Sequence, residues 1–455
     1  MTSVFLRQPE FSALKPYWRV IEILGRWPEQ LNGRLLRNGP ALFRRGDVCK
    51  SHLLDGDGFA QCWTISRGNI DHKGAWIQTH KFSDEQHEQT FIYPGFSTGG
   101  RSSTSLILPD AFNTANTNLI AFNGQLLALW EAGSAHEICP TDLSTIGLKT
   151  WSEETAGAPF GAHPKFDREG NLCNIGISGN RLLVYVINPA GRLHKIRAHT
   201  VRPTAIVHDF LLTDHFIGVW LAPLELDRQC LADGSTLLEA MAWHDDRGSQ
   251  LLLIDRKTLD IERTFQMGSE LIFHFCNAWE STNELIIQYI RSHPDALQHQ
   301  LEFADGLPQT ELRSTTISLN NGKTTEERGP TCTEFPQIDQ RFRGRTSTIC
   351  FGLISSCSQP TAIYDGLFRH SSCDSQCQQW FAESGIELEE HVHVPMDDHA
   401  PEACGWLIGT GYDNKRGQSF CSVFDSEHIS QGPLAIAYLD RPAPLCLHGE
   451  FLRDK

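Results

Sequence analysis

Apolar residues in this chain fall in short, often alternating runs split by turn chemistry and almost never at helical spacing; this feature constrains the fold most. SHLLDGDGFAQCWTI sets Asp55-Gly56-Asp57-Gly58 between two strand-like runs, which predicts a hairpin whose turn uses the φ > 0 freedom of glycine. FDREGNLCNIGI from Phe166, VYVINPAGRLHKI from Val184, LLLIDRKTLDIERTF from Leu251 and SVFDSEHISQGPLAIAYL from Ser422 each read as strand, polar turn, strand. Residues 13–27, interrupted by Pro16, and residues 235–243 carry the helical patterns. The expectation is an all-β chain with the texture of a β-propeller, in which antiparallel hairpins repeat radially. The ragged period gives no blade count. No linker, low-complexity tract or charge block breaks the chain, so residues 1–455 read as one domain.

Charge and hydropathy narrow the function. The formal net charge of −16 argues against nucleic acid as a partner, since phosphate binding needs a basic surface. No apolar stretch approaches the roughly 18 residues of a membrane span, and the N-terminal residues lack the apolar core of a secretory signal, so the chain reads as cytoplasmic. The 14 cysteines are scattered without a C-x-x-C pair, which predicts mostly buried free thiols, Cys373 and Cys377 being the tightest pair. No obligate protein partner is implied.

Most of the 20 histidines stand in polar, turn-like surroundings. Four differ: His163 in GAHPKFD, His208 in VHDFLLT, His274 in LIFHFCNAWE and His448 in LCLHGEF each sit beside an apolar run or a tight turn. Taken singly, such a histidine is more often a satisfied core or turn residue than a ligand. They lie too far apart in sequence for a compact zinc site, so as metal ligands they would have to converge from separate elements, as inner strands do on a propeller axis.

RNGP, LDGDGF, NTANTNLIAFNGQLLALWEAG, AHPKFD, VHDFLLT, HFCNAWE, EFPQID and LHGEF occur in this order between residues 31 and 451. In them the chain resembles the carotenoid cleavage oxygenases, in particular the bacterial apocarotenoid branch. The resemblance implies a seven-bladed propeller with one Fe(II) on its axis, held by His163, His208, His274 and His448. It further implies that O₂ is the co-substrate and that an activated C=C bond of a hydrophobic polyene is split into two carbonyl products, for instance an apocarotenal to retinal. Four neutral imidazoles suit Fe(II) and leave two octahedral positions open. Glu131, Glu334 and Glu402 match carboxylates that orient such ligands, although Glu402 stands in PEACGW where the family carries further acidic residues.

A long apolar substrate needs an apolar tunnel. Its candidate lining is Phe91, Phe96, Phe112, Trp130, Phe273, Phe275 and Trp279, and each is also an ordinary core candidate. Residues 91–112 are the candidate entrance and the candidate patch for peripheral membrane contact. Stilbene-cleaving relatives place a lysine after L-L-A-L where this chain has Trp130, which favours a polyene over a phenol. A stilbene or phenylpropanoid substrate, and a propeller that binds without catalysing, remain the alternatives. A calcium-dependent hydrolase would need clustered Asp, Asn and carbonyl ligands where the four histidines stand.

Overall fold

Strands dominate the computed structural model, which describes residues 16–50, 52–96, 109–227, 229–230, 233, 235–293, 309–356 and 364–454. They form seven antiparallel sheets of four or five strands, with two short hairpins beside them. In chain order the sheets are the blades of a propeller. Blade I pairs His448–Arg453 with Gly33–Leu42, Asp57–Ser66 and Asn69–Trp76. Blade II runs from Asn118–Phe122 to Thr145–Lys149, blade III from Lys165–Phe166 to Leu193–Thr200, and blade IV from Leu211–Leu212 to Ile261–Met267. Blade V runs from Leu271–Ser281 to Thr324–Thr331, and blade VI from Thr333–Gln337 to Cys377–Phe381. Blade VII runs from Ile386–Pro395 to Pro433–Leu439 and takes Val20–Gly25 as a fifth, outer strand. The ring therefore closes twice: the C-terminal strand is innermost in blade I, and an N-terminal strand edges blade VII.

Four of the five predicted hairpins form as read; for example, Arg181–Ile187 pairs with Leu193–Thr200, and Ser249–Asp255 with Ile261–Met267. The Asp55–Gly58 hairpin does not. Asp57 and Gly58 lie inside the strand Asp57–Ser66, and Gly56 is extended at φ −69°. These glycines serve close approach: a Cβ on Gly58 would lie 2.5 Å from the Ala115 carbonyl oxygen, and one on Gly56 would lie 2.7 Å from the Phe43 ring. The actual turn follows at Arg67-Gly68, with φ of 50° and 78°.

Both predicted helices are overturned within the described residues. Val20–Gly25 is a strand paired with Pro433–Leu439, because the β-branched Val20, Ile21 and Ile23 suit a pleated edge. Residues 237–240 turn, and Met241–Trp243 then pairs with Leu224–Leu226. A helix forms instead at His80–Glu88, where the Thr79 hydroxyl accepts from the Phe82 N–H as an N-cap. Its single large apolar residue, Phe82, left no periodic signal.

Apolar clusters fill the spaces between blades, Trp18, Trp63 and Trp76 lying buried at blade I. Nearer the axis, buried polar side chains tie neighbouring blades. The Asn38 amide donates to the carbonyls of Ala115 and Asn118, and Asn118 donates to that of Ala162 (2.9 Å). Asn277 donates to the Arg345 carbonyl, Gln337 to Glu390, and Arg37 in blade I ion-pairs with Glu390 in blade VII at 2.6 Å. No helix among the described residues is long and apolar enough to cross a membrane. Residues 97–108 of the expected lipid-facing stretch lie outside the described residues.

Candidate metal centre

The four singled-out histidines meet on the axis. His163 lies just before the inner strand of blade III, His208 just before that of blade IV, His274 within that of blade V, and His448 opens that of blade I. Their Nε2 atoms are separated by 2.9 Å (His163 to His208), 3.1 Å (His208 to His274) and 3.2 Å (His274 to His448). One ring nitrogen from each lies within 4.8 Å of the others.

Irregular pairing aims the residues around this point. In blade V two residues, Phe273 and His274, face one across the pair between Ile272 and Phe275. The same surplus occurs beyond Glu334 in blade VI and at Glu389-Glu390 in blade VII. Such bulges turn a side chain that regular alternation would send elsewhere.

Each of three rings presents its Nδ1 to a carboxylate. His208 Nδ1 meets Glu131, His274 Nδ1 meets Glu334 at 2.6 Å, and His448 Nδ1 meets Glu390 at 2.9 Å. An Nδ1–H donated to a carboxylate leaves the Nε2 lone pair facing inward, the tautomer a metal requires. Burial, followed by repulsion from the other three imidazoles, holds His163 well below the usual histidine range. Burial also lowers His448, with Glu390 opposing. Burial works to lower His274, but Glu334, with Asp209 and Glu390 behind it, outweighs burial and leaves the ring raised. For Glu390, burial works upward but His448 and Arg37 hold the carboxyl down to about 2.

Glu402, the expected partner from sequence, is not at this centre. Its two oxygens accept from the Ser347 and Thr348 hydroxyls and from the Thr348 and Ile349 N–H groups, at 2.7 to 3.2 Å, which fastens the loop entering a blade VI strand. Glu390 takes the place expected for it. A sequence signal existed: two consecutive acids in the strand Ile386–Pro395, both buried, break the alternation of IELEEHVHVP.

The aromatic candidates separate. Phe112 packs edge-on against Trp130 at 5.5 Å, beside Glu131, and Phe273 packs edge-on against His208 at 5.6 Å. Phe335, unanticipated, lies 5.4 Å from the His274 ring and 5.1 Å from that of His448. Phe96 stacks on His52 at 4.5 Å, and Phe91 is surrounded by Arg45, Lys50 and Lys81. Phe275 is buried against Tyr289 in the blade IV–V core, and Trp279 is half-buried toward the end of its strand.

The donor set fits a divalent ion. Nitrogens about 2.1 Å from one ion and at right angles are about 3.0 Å apart, close to the three separations found. Glu131, Glu334 and Glu390 are opposed by Arg37 alone in the set they form with the histidines, leaving an excess of negative charge that a dication cancels. One oxygen each of Glu131 and Glu334 is buried without a hydrogen-bond partner, a costly arrangement for a carboxylate unless a cation stands nearby.

Known proteins share this architecture. The profile described as retinal pigment epithelial membrane protein matches residues 10–453. The apocarotenoid-15,15'-oxygenase of Synechocystis sp. is 28% identical, the match covering 96% of this chain and 93% of that protein. The isoeugenol monooxygenase of Pseudomonas putida is 24% identical over 94% of this chain and 93% of its own length. The crystal structure of cobalt-substituted Synechocystis ACO superposes with a TM-score of 0.89 at 24% identity, covering 99% of this chain and 98% of that one. With the profile spanning nearly the whole propeller and all four axial histidines, the chain belongs to the retinal pigment epithelial membrane protein family, that of the carotenoid cleavage oxygenases.

Proposed function

We propose that this protein is an iron(II)-dependent dioxygenase that cleaves an activated C=C bond of an apocarotenoid or related polyene with O₂, giving two carbonyl products. The observation that carries the reading is the convergence of four Nε2 atoms, three of them on rings oriented by a buried carboxylate. His163, His208, His274 and His448 would hold one iron ion. Bound there, iron(II) supplies the electrons that activate dioxygen for addition to the alkene.

The chain's own residues do the rest. Glu131, Glu334 and Glu390 fix each ring's tautomer and direction, and Arg37 fixes Glu390. An ion held by these four imidazoles alone would have room left for O₂ and for the approach of the alkene. Phe273 and Phe335 pack against the rings of His208, His274 and His448 and give the centre apolar neighbours, suited to a polyene with no charge to pair. The overall reaction, alkene plus O₂ to two carbonyls, consumes no proton and asks no side chain to act as acid or base. Peripheral contact with the lipid that dissolves such a substrate belongs to this reading, and flotation with vesicles tests it.

The test of the reaction is aerobic incubation of the iron-loaded protein with an apocarotenal, followed by chromatography of the aldehydes. Two carbonyl products per substrate consumed support the proposal. Cleavage of only a 4-hydroxystilbene or isoeugenol would replace it with the phenylpropanoid reading, which the likeness to isoeugenol monooxygenase supports. Stoichiometric iron without cleavage of either class would sink both.

A further inference from the structure

His163 is the one ligand of the four whose ring meets no carboxylate among the described residues. Its backbone has little sheet to hold it, since the inner strands of blades III and IV, Lys165–Phe166 and Leu211–Leu212, are two residues each, against eleven in blade V. Something else must set the distance between His163 and its neighbours.

Two residues beyond His163, the Lys165 ammonium lies 2.7 Å from Asp209 Oδ1, both side chains being more than nine-tenths buried. The other oxygen of Asp209 accepts from the Phe275 N–H at 2.9 Å, and Oδ1 also accepts from the Phe210 N–H at 2.7 Å. The Lys165 ammonium stands 5.3 Å from the centre of the Phe210 ring. Asp209 directly follows His208, and Phe275 directly follows His274. One carboxylate thus cross-links three ligand-bearing segments from three blades.

We infer that the Lys165–Asp209 ion pair is the positioning device of the metal centre, setting His163 against His208 and His274 as the carboxylates do for the other rings. The pair makes no contact with the reacting atoms. It is a clamp one layer outside the ligands, and removing it loosens His163 first. This rests on the four histidines being a metal site, and its test separates the two ideas.

The probe is cobalt(II), read by its dissociation constant and by its visible ligand-field spectrum, with the melting temperature of the metal-free protein measured in parallel. Lys165→Met keeps the aliphatic stem and removes the charge. It should weaken cobalt binding about 10- to 100-fold and change the spectrum, whereas Lys165→Arg should restore both toward wild type. Lys81→Met is the control, since it breaks comparable buried ion pairs, with Asp57 of blade I and with Glu85 on the helix His80–Glu88; it should lower the melting temperature and leave cobalt affinity and spectrum unchanged. If Lys165→Met does not fold, Asp209→Asn, which retains an acceptor for the Phe275 N–H, is read the same way. Wild-type affinity and spectrum in the folded Lys165 or Asp209 variant would overturn the proposal. A wild-type protein that binds no cobalt overturns the metal site itself, and the clamp with it.

Discussion

A histidine ligand is only as well aimed as the group on its far nitrogen, and in this protein those groups are not equivalent. Glu390 answers to His448, Arg37, Gln337 and the Gly449 N–H, whereas Glu131 and Glu334 each keep one oxygen without a hydrogen bond. Glu390→Gln removes the charge that Arg37 faces and should lower iron affinity about 10- to 100-fold. Glu402→Gln should leave iron affinity unchanged and lower only the melting temperature, because Glu402 holds a loop. Metal titration and thermal unfolding of both variants check this, and loss of iron only in the Glu402 variant would restore the expectation drawn from sequence. The convergence of the four histidines was legible because each stands in a short motif through which the chain resembles the family. Glu390 was marked only by the break in alternation at Glu389-Glu390, because a bulge moves it to the axis whereas a period-two reading sends neighbouring residues to opposite faces.

At the scale of the element, glycines show most clearly what pattern reading can mistake. Asp55-Gly56-Asp57-Gly58 has hairpin composition, yet its glycines are there because Phe43 and Ala115 come close, information held 13 residues upstream and 57 residues downstream. Gly58→Ala should cost about 3 kcal/mol through a clash with backbone that cannot move aside. Gly68→Ala, with open space around its Cβ but φ at 78°, should cost about 1 kcal/mol. Denaturant unfolding of the two variants compares them, and equal losses would contradict the close-approach account. The same limit hid the helix at His80–Glu88. Its buried face includes Lys81 and Glu85, which with Asp57 and Arg45 form a balanced cluster of two cations and two anions in place of apolar residues. Conversely, four hairpins were legible because their turn residues and strands are contiguous in sequence.

At the scale of the whole molecule, blade number was invisible to periodicity because insertions such as the one carrying the hairpin of Leu224–Leu226 and Met241–Trp243 swell some blades and not others, and only the family resemblance supplied the count of seven. The closed ring buries several histidines outside the metal centre. Burial pulls His72 down to about 3, and His52, His136 and His393 down to about 4. Unfolded, these groups take up protons below about pH 6.5; folded, they resist until pH 3 to 4. Their contribution to stability is therefore complete above about pH 6.5 and is lost as pH falls toward 4, at up to about 1.4 kcal/mol per group per pH unit. Melting of the metal-free protein should drop steeply from pH 7 to 5, and a flat profile would show that these rings can be protonated in the folded state. The proposed function, however, depends on the axis holding iron through four imidazoles. X-ray absorption of the protein loaded anaerobically with one equivalent of iron(II) tests this most directly. Four imidazole nitrogens on a single iron per chain are the predicted result; failure to retain iron, or an iron held by fewer than three imidazoles, would contradict it.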